Sequence, residues 1–337
     1  MRTKCGLVFL VITFLGMGFL PVTGASVAST SNEVQIENLV QEAVDLHSQL
    51  PSFTPSLASL STAEGVYVAQ GSSLSLKCDP DKSKALAQHP KPCWLGDLAA
   101  KRVVVLIGDS NAGNWEPVLS LALKQLKFKL AVFVYPGCTS QLVKLMSEPA
   151  GSTYDWQRCN LFHSKVVSVV EGLHPKAIIS AVLGEGSSGK TASFSPFAEN
   201  WKKTFDLLTS KSPQTIRILM GTTPNNEAGS IPVCLSRYLS SSTNAGMTIC
   251  SPHYYPGASF STNPWSYWQR DELSASISDA KLIQTYKWFC GFQSTVKDYC
   301  PAVIGNKLVY VDTDHISIAY MDTLDTVVRN ALVAAGL

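Results

Sequence analysis

The sequence predicts an α/β fold, a parallel sheet with helices on both faces, and three observations carry the prediction. From Ala99 onward short apolar runs alternate with segments of helical apolar spacing, the pattern of right-handed βαβ units. The strongest run, Val103-Val104-Val105-Leu106-Ile107, is continuous rather than alternating, as a strand buried on both faces must be. It ends in Gly108-Asp109-Ser110, a sharp exit at the carboxyl edge of the sheet, where open α/β folds hold their ligands.

Taken in order, residues 1–25 form a signal peptide. Arg2 and Lys4 make a basic start, residues 6–20 are a nearly unbroken apolar run, and Thr23-Gly24-Ala25 offers small residues for cleavage. The run is short for a spanning helix of about twenty residues, so export is expected, with an uncleaved membrane anchor as the alternative. Arg2 and Lys4 are the only charges in this segment; without them the 27 basic residues become 25, against 25 acidic. With no basic excess, nucleic acid is not an expected partner.

Residues 26–98 read as an N-terminal extension with one helix. Over residues 33–50 the spacing of Val34, Leu39, Val40, Ala43, Val44 and Leu50 is helical, and Pro51 ends it. So small a segment buries little alone, so it is expected to pack on the domain that follows, residues 99–337. There the expected strands are 103–107, 130–134, 177–183, 216–220 and 308–311, and the helices 115–126, 156–171, 196–208 and 318–333. Phe197, Trp201, Phe205 and Leu208 share one helix face and read as core. Residues 222–306 form a long insertion between the fourth and fifth strands. Its aromatics Tyr254, Tyr255, Trp265, Tyr267, Trp268 and Trp288 either stack on sugar rings or cover a local core.

Eight cysteines remain after the signal peptide, an even number in an exported chain, which reads as disulfides. Sequence alone leaves 105 connectivities open. Pairing of neighbours is expected, Cys78 with Cys93, Cys138 with Cys159, Cys234 with Cys250 and Cys290 with Cys300, because each pair brackets one polar or Gly/Ser/Pro-rich loop. No Cys-x-x-Cys or His-x-x-x-His spacing occurs, so neither zinc nor another cofactor is expected.

Two motifs carry chemistry. Ser110, on a strand-to-helix turn, is seated as a nucleophile. Asp312 stands three residues before His315, so its carboxylate can bend back to Nδ1–H, fix the tautomer and leave Nε2 to take a proton from a serine hydroxyl. Asp314 is the alternative orienting carboxylate, and Asp109 is expected to brace the turn. A third motif points elsewhere: residues 184–191, Gly-Glu-Gly-Ser-Ser-Gly-Lys-Thr, match a phosphate-binding loop in full. Export away from nucleoside triphosphates and a proline at 196 in the following helix weigh against a nucleotide site.

Strand-Gly-Asp-Ser near the start and strand-Asp-x-x-His at the end resemble the SGNH (Gly-Asp-Ser-Leu-type) hydrolase superfamily. The chain is similar, over residues 39–335, to the SGNH domain fused to O-antigen-acetylase-type membrane acyltransferases. Cys78 and Cys93, Trp115-Glu116-Pro117, Pro136-Gly137-Cys138, Pro224, Cys234, Cys290, Cys300-Pro301 and Tyr310-Val311-Asp312-x-Asp314-His315-Ile316-Ser317 carry this likeness. The resemblance implies a flavodoxin-like three-layer fold with a five-stranded parallel sheet, stabilised by disulfides. It also implies an esterase or O-acyltransferase acting on acetylated cell-envelope glycans or small acyl esters through a Ser110 acyl-enzyme, with His315 as base and Asp312 as its orienter. Oxyanion donors are expected from the backbone N–H of Ser110, with those of Gly137, Gly184 and Gly186. A separate membrane acyltransferase is an expected partner, and a catalytically degenerate glycan-binding domain is the alternative. Two departures stand out: Asn111 occupies the place of a usual histidine, and the superfamily's oxyanion asparagine has no counterpart between Asn160 and Asn200.

Overall fold

The computed structural model describes residues 31–46, 52–54, 56, 78, 89–136, 138–142, 156–181, 194–224, 229–239, 250–251, 264–291 and 299–337. One sheet contains β1 (Cys93–Gly96), β2 (Val103–Gly108), β3 (Lys129–Val134), β4 (Ala177–Ala181), β5 (Ile216–Met220) and β6 (Lys281–Ile283), in the order β1-β3-β2-β4-β5-β6. The five strands β2 to β6 are parallel, and β1 pairs antiparallel with β3 at the edge. Numbered by themselves, the parallel strands run 2-1-3-4-5, the flavodoxin-like order, whose chain reversal opens a crevice between the first and third.

Alternation along each strand builds two cores. Val104, Leu106, Leu130, Val132, Ile179 and Ile218 face one side, where they meet α1 (Ser31–Asp45), α3 (Glu116–Gln125) and α9 (Asp325–Ala334). Val105, Ile107, Ala131, Phe133, Ile178 and Leu219 face the other, against α4 (Trp156–Leu173), α5 (Phe194–Leu208) and Ala275 of α7 (Pro264–Ser278). A strand covered on both faces is apolar almost throughout, and β4 is buried at every position, its one polar side chain, Ser180, donating to the Ile107 carbonyl at 2.7 Å. Phe197, Trp201, Phe205 and Leu208 all lie in the second core. Among the described residues the remaining α-helices are α2 (Ser110–Asn114), α6 (Ile231–Leu239) and α8 (Ile318–Met321).

Several elements differ from the sequence expectation. Residues 308–311 are not a strand of the main sheet. Leu308 closes a two-stranded hairpin of β7 (Val303–Ile304) and β8 (Lys307–Leu308), and Tyr310 bridges to Ile316. The fifth parallel strand is instead β6, within residues 222–306. The physical reason is that a short apolar run shows burial without showing its backbone partner. Leu308, Val309, Tyr310 and Val311 are all buried, but Val309 N–H donates to Ala302 and Val311 N–H to His315 rather than to a sheet neighbour. β6 has only three residues and lies at an edge, too little for a periodic signal.

The helix expected from Trp115 is preceded by α2, with Trp115 between the two, fully buried and edge-on to Trp288 and Phe289 at centroid distances of 6.2 Å each. Trp288 is therefore core. Tyr254, Tyr255 and the side chains of Trp265, Tyr267 and Trp268 fall outside the described residues. The N-terminal region adds β1 as well as a helix. Ile36, Val40 and Val44 of α1 are buried in the first core; each such side chain contributes about 1.5–3 kcal/mol. Disulfides join Cys78 to Cys93, Cys138 to Cys159, Cys234 to Cys250 and Cys290 to Cys300.

Candidate active site

Ser110 opens α2 directly beyond the end of β2, the first parallel strand, between β3 and β4, at the point where strand order reverses. The turn is shaped by close packing. A Cβ on Gly108 would lie 2.5 Å from both Ala112 Cβ and Ser140 Oγ and 3.0 Å from the Ala181 carbonyl, so only glycine lets the ends of β2 and β4, the start of α2 and the Ser140 loop converge. Ser140 Oγ accepts from Asp109 N–H at 3.1 Å and donates to the Ala181 carbonyl, stitching the exits of β2 and β4 from a loop that follows β3. Asp109 caps α2: its Oδ1 accepts from the N–H of Asn111 (2.9 Å) and of Ala112 (3.2 Å). Ser110 itself is half-buried.

The second half of the site is a tight loop. Val311 N–H donates to the His315 carbonyl at 2.9 Å, closing residues 311–315. Asp312 uses one carboxylate oxygen for the turn, Oδ1 accepting from Asp314 N–H at 3.0 Å and His315 N–H at 2.8 Å. The other, Oδ2, lies 2.7 Å from His315 Nδ1. The three-residue spacing thus lets one side chain brace the backbone and hold the ring. Asp314 Oδ1 is 3.7 Å from the same nitrogen.

Burial and charge act against each other here. Burial disfavours the charged imidazole of His315, but the hydrogen bond to Asp312 and the charges of Asp312, Asp314 and Asp109 outweigh it and raise the pKa above 6.5. Burial likewise pushes Asp312 upward; its bonds to His315, the imidazolium charge and two backbone N–H donors prevail and hold it below the usual carboxylate value. Burial wins at Asp314, whose pKa is raised.

Side chains of α2 tie the two halves together. Asn114 Oδ1 accepts from Ile316 N–H at 3.2 Å and its amide nitrogen lies 3.4 Å from the Asp314 carbonyl, while Asn111 Nδ2 donates to Asp314 Oδ2 at 3.2 Å. Thr223, just past β5, donates to Asn111 Oδ1 at 3.3 Å. The helix begun by Ser110 therefore grips the chain on both sides of His315. Ser140, Asn111, Asn114 and Thr223 carry no sequence signal for these roles beyond two asparagines at i and i+3 on a helix beginning with Ser110. Gly137, Gly184 and Gly186 and the 184–191 motif, Lys190 included, lie outside the described residues.

Among the described residues two groups bring metal-ligand types together. Cys138 and Cys159 beside His163 are joined in a disulfide, so their sulfurs are not thiolates. Asp312, Asp314 and His315 are the candidate triad loop, whose Nδ1 faces Asp312 in the hydrogen bond described above.

The profile of the SGNH domain (fused to AT3 domains) family matches residues 77–330. No curated protein sequence matches the chain. Among solved structures, the periplasmic domain of a Salmonella ser. Paratyphi A lipopolysaccharide acetyltransferase is similar at 15% identity and a TM-score of 0.56, with 82% of this chain and 99% of that one covered. A Bacteroides fragilis protein provisionally assigned as an acylhydrolase matches at 14% identity and a TM-score of 0.41, covering 75% and 94%. A carbohydrate esterase family 2 enzyme with a carbohydrate-binding domain, from Corynascus thermopiles, matches at 13% identity and 0.38, covering 70% and 68%.

Proposed function

Since the chain belongs to the family of SGNH domains fused to AT3 domains, we propose that it is an extracytoplasmic serine esterase or O-acyltransferase that removes or moves acetyl groups on cell-envelope glycans. The observation that carries the proposal is the pairing of a serine at the reversal point of the sheet with an Asp312-held imidazole, both fastened to the same short helix. In this reading Ser110 Oγ attacks the acyl carbonyl while His315 Nε2 takes its proton. The tetrahedral intermediate collapses as His315 returns the proton to the leaving alcohol, and Ser110 is left acylated. Water or a glycan hydroxyl, deprotonated by His315 in turn, attacks the ester and frees the serine. Asp312 stays ionised, fixes the tautomer and stabilises the imidazolium.

The backbone N–H of Ser110 is the first oxyanion donor, joined by those of Gly137, Gly184 and Gly186. An oxyanion donor is worth ~2.7–4 kcal/mol, so these must make up for the missing asparagine. Residues 1–25 are proposed to direct export, with the rest of the chain divided at residue 99 into an extension and the SGNH domain. Four disulfides fit an oxidising compartment, and a membrane acyltransferase is the proposed donor of acetyl groups. No helix among the described residues is long and apolar enough to cross a membrane.

The test is labelling of the purified protein with an activated serine-directed phosphonate. Adduct on Ser110, lost in His315→Ala, is expected. A folded protein that binds acetylated glycan but takes no label and turns over no acetyl ester would replace this reading with a glycan-binding one.

A further inference from the structure

His315 has two carboxylates close to one N–H. Asp312 Oδ2 is 2.7 Å from Nδ1 and Asp314 Oδ1 only 1 Å farther, at 3.7 Å. A buried carboxylate without a donor is costly and turns to whatever donor it can reach. Asp314 is only partly exposed, so with no other donor the Nδ1–H would draw it in. What it has instead is the Asn111 amide, 3.2 Å from Oδ2.

That amide is not free to turn. Asn111 is 3% exposed, and its oxygen faces two donors, Thr223 Oγ1 at 3.3 Å and Asn114 Nδ2 at 3.4 Å. Rotating the amide by half a turn would set its NH2 group against the NH2 of Asn114, whose own amide is fixed by Ile316 N–H, and its oxygen against a carboxylate, so the network fixes the nitrogen end toward Asp314. The end of β5 and the next turn of α2 thus aim one donor at one carboxylate.

We infer that Asn111 is a positioning residue: it holds Asp314 off the imidazole, and thereby leaves Asp312 as the one carboxylate on His315 Nδ1. The inference rests on the acyl-transfer reading for its kinetic consequence alone. The hydrogen-bond assignment stands apart from it.

The test uses the mature protein labelled with 15N-histidine, in which the downfield Nδ1–H proton of His315 reports its acceptor. The signal is expected to be lost in Asp312→Asn and unmoved in Asp314→Asn. In Asn111→Leu, which is close in volume but has no donor, it is expected to survive Asp312→Asn because Asp314 swings onto the ring. On a small acetyl ester the pair Asn111→Leu/Asp312→Asn should then turn over about tenfold faster than Asp312→Asn alone, a coupling of the size contacting residues show. A part in folding alone would make the pair slower than the single variant, which would overturn the inference. Should Asn111→Leu not fold, Asp314→Asn decides by itself: a signal that moves there as far as in Asp312→Asn also overturns it. If the proton behaves as expected but wild type turns over no ester, the acyl-transfer reading fails and the positioning role remains.

Discussion

The Ser110 turn and the His315 loop hold their residues by opposite means. Ser110 is placed by the sheet: β2 ends between β3 and β4, and Gly108 lets Ala112, Ser140 and Ala181 close to 2.5–3.0 Å of where its Cβ would be. His315 is outside the sheet. It is placed by a five-residue loop that Asp312 braces from within, and by two asparagines that reach it from α2. A serine seated by packing inherits the rigidity of the core; a histidine seated by hydrogen bonds depends on each partner. Damage to the first should therefore appear as lost stability, and damage to the second as lost rate in a protein that still folds.

The largest effect tests whether the two regions act as one unit. Ser110→Ala and His315→Ala should each reduce turnover of a small acetyl ester by ~10⁴-fold or more, and the double variant should be hardly slower than either, because residues acting as a unit are strongly non-additive. Losses that multiply in steady-state kinetics would separate the two regions.

Next comes the choice of carboxylate. Asp312→Asn should keep the melting temperature within a few degrees yet lower kcat by ~10⁴-fold through the wrong tautomer, whereas Asp314→Asn, 3.7 Å from Nδ1, should cost under about tenfold. If Asp314→Asn is the severe variant, the orienting role passes to it.

Gly108→Ala attacks the packed side. The added methyl group overlaps Ala112 and Ser140, and overpacking of this kind costs about 1–3 kcal/mol, read by urea denaturation. A variant as stable as wild type would show that the turn is softer than its contacts suggest. The Cys138–Cys159 bridge anchors the loop that carries Ser140. Removing both cysteines should cost ~2–5 kcal/mol and lower activity through the Ser110 turn, leaving the His315 Nδ1–H signal in place.

The smallest effect is in pH. In the proposed acyl transfer His315 must be neutral to act as base, and the net pull of Asp312, Asp314 and Asp109 against burial raises its pKa above 6.5, so activity should fall as pH drops through a midpoint above that value. The stability term runs the other way: a raised histidine pKa stabilises the fold fully below about 6.5 and is lost as pH rises through the folded-state value. Asp312, held low, stabilises above its unfolded value and stops doing so as pH falls through its folded-state value. In Asp312→Asn the acid limb of the residual activity should move down; a limb that stays would mean that another group sets it.

By itself the sequence determined what local chemistry dictates. A continuous apolar run must be covered on both faces, so residues 103–107 read as a buried strand. Asp and His three apart can share a turn, so the hydrogen bond between Asp312 and His315 was legible from spacing. Neighbouring cysteines around polar loops gave four candidate bridges. What only the tertiary structure decided is which groups from distant segments meet. Residues 308–311 carry the same apolar signal as a sheet strand, yet the N–H groups of Leu308, Val309 and Val311 go to Thr54, Ala302 and His315, while three residues at 281–283 complete the parallel sheet. Burial leaves its mark on composition, but the direction of a hydrogen bond does not. Asn111, Asn114, Ser140 and Thr223 are small polar residues of a kind common in any loop or helix end, and their roles arise only because the fold brings the exits of β2, β3, β4 and β5 together beside the loop of His315.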